Sequence, residues 1–259
     1  MATAMVTGAS RGVGRGIATA LAGTGYRVFA TGRGIAGADL PGVVERIGCD
    51  HLDDAQTAAA FEHIRQATGE LDVLVNAAWG GYERMVEDGA FTWAAPFWEQ
   101  PLHRWRGMID QGLRAAFVCS QAAARLMVPR GSGLIVLLSY WAARRRLGNA
   151  IYGVAQAGAD KLAADMGEEL RPHGVAAISL YPGLVRTERV LEAAAQGAFS
   201  LDGSESPEFA GRVIAALAAR PDLAQQRSGQ AIVAAQLGRE LGVTDIDGSQ
   251  PPVLGLDDV

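Results

Sequence analysis

Three features of this sequence predict an α/β fold: one doubly wound parallel sheet of about seven strands in a single domain. Short β-type runs alternate with Ala-rich helical runs from one end to the other. Several of the β-type runs are near-continuous apolar stretches of the kind covered on both faces. A glycine-rich turn after the first of them leads straight into a helix. A chain of 259 residues suits one large α/β core, whereas two domains of half that size would each be small, so 1–259 reads as one unit.

In chain order the strand candidates are TAMVT (3–7), YRVFAT (26–31), RIGC (46–49), LDVLVN (71–76), GLIVLLS (133–139), GVAAISLYP (174–182) and GQAIVA (229–234). Each is rich in β-branched or other apolar residues and most are bounded by Gly, Asn, Ser or Pro. The clearest helical stretches between them are 14–22, 53–67, 105–128, 152–170 and 207–219. Right-handed crossovers place these helices on both faces of the sheet. Ligands of such sheets sit outside the carboxyl ends of the strands, so the residues ending each strand carry the functional reading.

The bulk composition excludes several classes of partner. With 23 basic and 28 acidic residues the net charge is −5, which creates no field for nucleic acid or an anionic membrane. The run Arg144, Arg145 and Arg146 is short and reads as a solvated loop. The apolar part of MATAMVTGAS is too short for a secretory signal, and no stretch reaches the length of a membrane span, so a cytoplasmic location is expected. Two cysteines, Cys49 and Cys119, suggest neither a disulfide framework nor a metal centre and read as buried thiols.

The first strand runs into Thr7, Gly8, Ala9, Ser10, Arg11, Gly12, Val13 and Gly14. Glycines let the backbone turn tightly and approach a pyrophosphate, whose charge is favoured by the free N–H groups of the following helix. The spacing is neither GxGxxG nor a Walker A loop, and taken alone the turn could equally pack a strand against a helix. Other strand ends add to it. The second strand ends at Thr31-Gly32-Arg33, where Arg33, with Arg11, offers charge-assisted hydrogen bonds to a phosphate. Ser139 ends an apolar strand, and Tyr152 follows thirteen residues later at the start of a helix.

TGASRGVG, the segment Asn76-Ala77-Ala78-Trp79-Gly80, the Ser139-to-Tyr152 spacing and YPGLVRT (181–187) together resemble the short-chain dehydrogenase/reductase family, over essentially the whole chain. The resemblance implies a Rossmann-type domain that binds NAD(P), with Gly8, Ser10, Arg11, Gly12, Val13 and Gly14 forming the phosphate loop. NAD-specific relatives more often carry an acid where Arg33 stands, so NADP(H) is favoured over NAD(H). Asp50 falls where the family contacts adenine, and otherwise reads as a helix cap. Asn76, Ala77 and Ala78 correspond to the family's NNA segment. Pro182, Gly183, Val185 and Thr187 correspond to the segment facing the nicotinamide, although Pro-Gly alone would also serve as a strand-ending turn. By the same resemblance, Ser139 orients a substrate carbonyl and Tyr152 exchanges a proton with it.

Two positions depart from the family pattern. The family's Lys, one helical turn after the Tyr, is here Gln156, which can hydrogen-bond a ribose but brings no charge to lower the Tyr pKa. Lys161 lies nine residues from Tyr152, on the opposite helix face, and is expected to meet solvent. The family's catalytic Asn falls on Gly112.

The substrate side is expected in an aromatic-rich insertion at about 81–105, which includes Tyr82, Phe91, Trp93, Phe97 and Trp98. A mobile, closing segment is expected at 188–206. These stretches, with YGVAQAGADKLAADMGEEL and GRELGVTDIDG, are most similar to the dehydrogenase/reductase SDR family member one subgroup. The implied function is an NADP(H)-dependent oxidoreductase acting on a carbonyl or alcohol of a small, moderately apolar molecule. The altered residues leave open a redox-neutral reaction (dehydration, isomerisation or cyclisation) or a non-catalytic nucleotide-binding role. The family's habit implies a homo-oligomer, a dimer or a tetramer.

Overall fold

Seven parallel strands build one sheet in a computed structural model that describes residues 1–258. In chain order they are β1 (Thr3–Val6), β2 (Arg27–Gly32), β3 (Glu45–Gly48), β4 (Val73–Asn76), β7 (Gly133–Leu138), β8 (Val175–Tyr181) and β9 (Ala231–Val233). Their spatial order is β3-β2-β1-β4-β7-β8-β9. All seven apolar runs of the sequence are strands of this sheet. The order reverses between β1 and β4, which opens a crevice at their carboxyl ends.

Helices cover both faces, which is why the strands lack a polar side. On one face α1 (Gly12–Gly23), α7 (Phe209–Ala218) and α9 (Ala234–Leu241) pack Ile17, Leu21, Phe209 and Ile214 against Ala4 and Val6 of β1. On the other, α2 (Asp54–Thr68), α4 (Ala115–Met127) and α5 (Ala150–Leu170) bring Phe61, Ile64, Met127 and Ala163 against Met5. The alternation Ala4, Met5, Val6 follows from the two-residue period of a strand.

The structure differs from the expected elements in several places. Helical turns begin at α3 (His103–Trp105) and reach the end of α4, but the stretch between, Arg106–Arg114, is wound as a π-helix. Within it Gly107 lets Gly80 dock: the Gly80 N–H donates to the Gly107 carbonyl at 3.1 Å, and a Cβ on residue 107 would lie 2.5 Å from the Gly80 oxygen. Such wider turns recur at functional sites. The aromatic insertion contains a small hairpin, β5 (Val86–Glu87) with β6 (Ala90–Phe91), turned by Asp88 and Gly89, both at positive φ. The segment expected to be mobile begins as α6 (Glu188–Ala195), with the Thr187 side chain capping its start by accepting from the Val190 N–H at 3.4 Å. The short helix α8 (Pro221–Arg227), opened by a proline at its first position, also lies outside the expected set.

Both cysteines are free and buried. Their sulfurs lie 3.6 and 3.5 Å from Nδ1 of His51, whose ring burial lowers to a pKa of about 4. The imidazole is therefore neutral, bonded through Nε2 to the Thr31 hydroxyl at 2.8 Å. Lys161 is exposed and pairs with Asp165 one turn on.

Candidate active site

The turn from β1 into α1 is shaped by what glycine permits. Gly8 has φ +65°, and a Cβ there would lie 2.6 Å from Cα of Ala78. A Cβ on Gly14 would meet the Gly8 carbonyl oxygen at 2.5 Å. Thr7 ties this turn to the end of β4, its hydroxyl accepting from the N–H groups of Ala77 and Ala78, both at 3.1 Å. Asn76 donates from Nδ2 to the Ser120 hydroxyl at 3.1 Å. A carboxylate occupies the mouth of α1: the Gly12 N–H donates to Glu188 Oε2 at 3.0 Å, and Arg15 holds the other oxygen at 3.0 Å. The helix start thus binds an anionic group in this structure, as its unpaired N–H groups and dipole favour.

Arg33 follows β2, is exposed, and among the described residues pairs with no carboxylate. Arg11 is exposed as well and pairs with Glu83 of the insertion. A cavity of about 310 Å³ is bounded by Arg33, Asp50 and Leu52 on one side and Gly80, Arg106 and Gln111 on the other. Asp50 accepts from the Leu52 N–H at 3.1 Å, whereas Asp53 caps α2 by accepting from Ala55 and Gln56. The cap is therefore three residues beyond Asp50, whose carboxylate borders the cavity.

Tyr152 stands in the first turn of α5, fixed by Asn149. The Asn149 side chain accepts from the Tyr152 N–H at 2.9 Å and donates to the Trp93 carbonyl at 3.1 Å. One residue thus caps the helix and ties it to the aromatic insertion. The Tyr152 ring lies 5.3 Å from Trp93, 6.0 Å from Trp79 and 6.2 Å from Tyr82, between ring centres. Only 7% of Tyr152 is exposed. Burial drives its phenol pKa well above the ordinary value of 10, Tyr82 and Tyr140 add to the rise, and the Gln156 amide opposes it.

The partner of the Tyr152 hydroxyl is Tyr82, which donates to it at 3.2 Å. The Ser139 hydroxyl instead donates to the Gln156 main-chain carbonyl at 3.1 Å. Ser139, Tyr152 and Gln156 do come together at the head of α5, all buried, but the two hydroxyls are bonded to other groups. Gly112 is buried under the Trp79 indole, which fills the volume a side chain there would need.

Val185 and Thr187 follow β8, Val185 pairing in an isolated bridge with Glu205. Sequence reasoning missed Glu205. It is 1% exposed, and neither carboxyl oxygen has a hydrogen-bond partner. A Cβ on Gly183 would lie 3.0 Å from its Oε2. Burial pushes the Glu205 pKa up to about 7 and Asp245 adds to the rise, against the nearby charge of Arg186. Tyr82 belongs to the aromatic-rich insertion, which by its composition suits a pocket wall or a dimer interface about equally. Its hydroxyl was not singled out because seventy positions separate it from Tyr152 in the chain.

The model of the family described as short chain dehydrogenase matches residues 2–197. Dehydrogenase/reductase SDR family member 1 of Mus musculus is 39% identical over 264 residues, 94% of this chain and 83% of that protein. The protein of the same name from Homo sapiens is 38% identical with the same coverage. Among solved structures, a metagenomic short-chain oxidoreductase in complex with NADP is 26% identical, with a TM-score of 0.68 over 90% of this chain and 95% of that one. A variant of ElxO with NADPH bound superposes with a TM-score of 0.77 over 90% and 96% of the two chains, and at 19% identity it is a likeness of fold.

Proposed function

The chain belongs to the short-chain dehydrogenase/reductase family, and on that premise we propose that it is an NADP(H)-dependent oxidoreductase for a carbonyl or alcohol group on a small, moderately apolar molecule. The observation that carries this reading is the carboxylate held at the start of α1, on the same strand-end edge as the buried Tyr152 hydroxyl. An anion site and a proton donor on one crevice are what a phosphate-bearing redox cofactor and its substrate need. The NADP-bound solved relative supports the choice of nucleotide.

The nucleotide fits the residues present. Gly8, Ser10, Arg11, Gly12, Val13 and Gly14 would hold the pyrophosphate once Glu188 withdraws, and Arg33 the 2′-phosphate. Asp50, which borders the cavity, would contact the adenine, and Asn76, Ala77 and Ala78 would line the crevice at the end of β4. Pro182, Gly183, Val185 and Thr187 would face the nicotinamide. When bound, the cofactor supplies hydride to the carbonyl carbon, or accepts it in the reverse direction. Tyr152 would give its proton to the carbonyl oxygen; burial keeps the phenol protonated and also makes it a weaker acid than a phenol beside a cation. Gln156, 6% exposed, offers an amide to the ribose without the charge of a lysine. Ser139 braces the head of α5 through the Gln156 carbonyl and shapes the carbonyl-binding end of the pocket.

The test is direct. NADPH should raise the thermal unfolding midpoint, and the reduced-nicotinamide absorbance should fall with members of a carbonyl panel. Gln156, which brings no cation to Tyr152, also favours a second reading, a redox-neutral reaction in the same pocket, which thermal protection without NADPH oxidation would support. A homo-oligomer is also proposed: Phe117 of α4 and Val154 of α5 are exposed apolar residues on the two long helices. Sedimentation analysis checks it.

A further inference from the structure

We propose that Tyr82 is a second catalytic hydroxyl, which with Tyr152 grips the oxygen of an aryl carbonyl substrate. The inference rests on the oxidoreductase reading above and names the substrate class and one more residue for that site.

The two phenol oxygens are 3.2 Å apart, and no other side-chain hydroxyl hydrogen-bonds Tyr152 among the described residues. Tyr82 as a whole is 38% exposed, but its hydroxyl end meets the Tyr152 hydroxyl and its ring packs beside Trp79, Trp93 and Tyr152, so part of the residue reaches solvent while the hydroxyl faces the pocket. Its position is set from several sides. Its ring centre lies 5.8 Å from Trp79 and 5.6 Å from Trp93, and its main-chain carbonyl accepts from Arg189 of α6. The next residue, Glu83, pairs with Arg11 of the α1 turn. Its backbone is thus tied to α6 and, through Glu83, to the α1 turn, and its ring packs on two indoles, which places the hydroxyl to act on whatever lies over Tyr152.

The chemistry of the site requires a second donor. A carbonyl oxygen gains negative charge as hydride reaches its carbon, and two fixed donors stabilise that charge better than one. Gln156 brings no cation, and the Ser139 hydroxyl is engaged with the Gln156 carbonyl. In the free protein the Tyr82 hydroxyl spends its proton on Tyr152. A carbonyl oxygen has two lone pairs and can take one hydrogen bond from each phenol, replacing a single phenol-to-phenol bond by two. In the reduction the C=O π bond opens and hydride forms the new C–H bond, leaving the nicotinamide oxidised. The Tyr152 proton forms the new O–H bond. Tyr82 keeps its own proton and donates a hydrogen bond throughout, and water reprotonates Tyr152. The groups surrounding both phenols are the flat indoles of Trp79 and Trp93, which favour an aromatic ring on the carbonyl carbon by stacking.

The probe is 4-nitrophenol, titrated into the apoprotein at a pH where it is the phenolate, a stable carrier of an aryl oxyanion. The parent protein should bind it with a shift in its absorption band. Tyr82→Phe keeps the ring and so the pocket wall, but removes the donor. It should weaken binding by about 10- to 100-fold and reduce the band shift, as loss of a hydrogen bond to a charged group does, with an unchanged thermal midpoint. Tyr152→Phe should do likewise. With NADPH and benzaldehyde, Tyr82→Phe should lower kcat by about a hundredfold while KM changes little, because the interaction strengthens in the transition state. Binding by Tyr82→Phe equal to that of the parent overturns the proposal, and so does a parent that does not bind the probe. A parent that binds the probe but gains no thermal protection from NADPH leaves Tyr82 in its role as oxyanion donor and defeats the oxidoreductase reading instead.

Discussion

Gly112 and Trp79 share one volume: a Cβ on residue 112 would lie 2.7 Å from Cε3 of the indole. The glycine expected at the family's Asn position and the tryptophan within the NNAG-like segment thus compete for one volume. Gly112→Asn alone should destabilise the fold by about 1–3 kcal/mol through overpacking. In Trp79→Gly the same substitution should cost much less, giving a coupling energy of about 1 kcal/mol or more. Denaturant unfolding of the four proteins of the cycle measures it, and additive costs would show that the two residues do not compete for space.

Glu205 should make stability depend on pH in a defined direction. Its carboxyl has a pKa of about 7 in the folded chain against an ordinary 4.5. Between these values the folded protein retains a proton that the unfolded chain has released. Stability is then full below the lower value and falls as pH rises through the higher one. The loss amounts to about 3 kcal/mol at most. Glu205→Gln should flatten that part of the profile, as read by denaturation midpoints across the window, and an unchanged slope would mean that the carboxyl titrates normally.

Arg33 has no carboxylate partner among the described residues and stands at the end of β2, beside the cavity with Asp50. Arg33→Ala should weaken NADPH by about 10- to 100-fold, the worth of a charge-assisted hydrogen bond to phosphate, and NADH far less. Calorimetric titration with both nucleotides decides. Equal losses would remove the phosphate from the assignment.

Gln156→Lys places a cation beside Tyr152, within the same helical turn. The charge should lower the phenol pKa and stabilise its ionised form. NADPH oxidation with a good carbonyl substrate should rise by about tenfold or more, with the pH optimum for alcohol oxidation moving down. An unchanged rate in a protein of unchanged thermal midpoint would favour the redox-neutral reading of the pocket.

The sheet was legible because its strands are covered on both faces: Ala4 and Val6 face one core and Met5 the other, so the apolar run is unbroken. The phosphate turn was legible because Gly8 and Gly14 admit no side chain. The π-helical stretch Arg106–Arg114 was not, since nothing local in RGMIDQGLR distinguishes it from α-helix; it follows from the docking of Gly80 and Trp79 from another segment. Tyr82 and Glu205 escaped for the same reason. The hydroxyl of one and the isolation of the other are set by residues far away in the chain. Helix α6 escaped because its stabilising contacts, Glu188 to Gly12 and Arg189 to Tyr82, are tertiary.

The Glu188 carboxylate at the mouth of α1 also implies an order of events. On the proposed reading a dinucleotide and this side chain would compete for the same N–H group, and loading the crevice would unlatch the first turn of α6. Arg15, held now by Glu188, would then be released toward the incoming phosphate. Nucleotide entry and the posture of the segment expected over the substrate would then be mechanically joined.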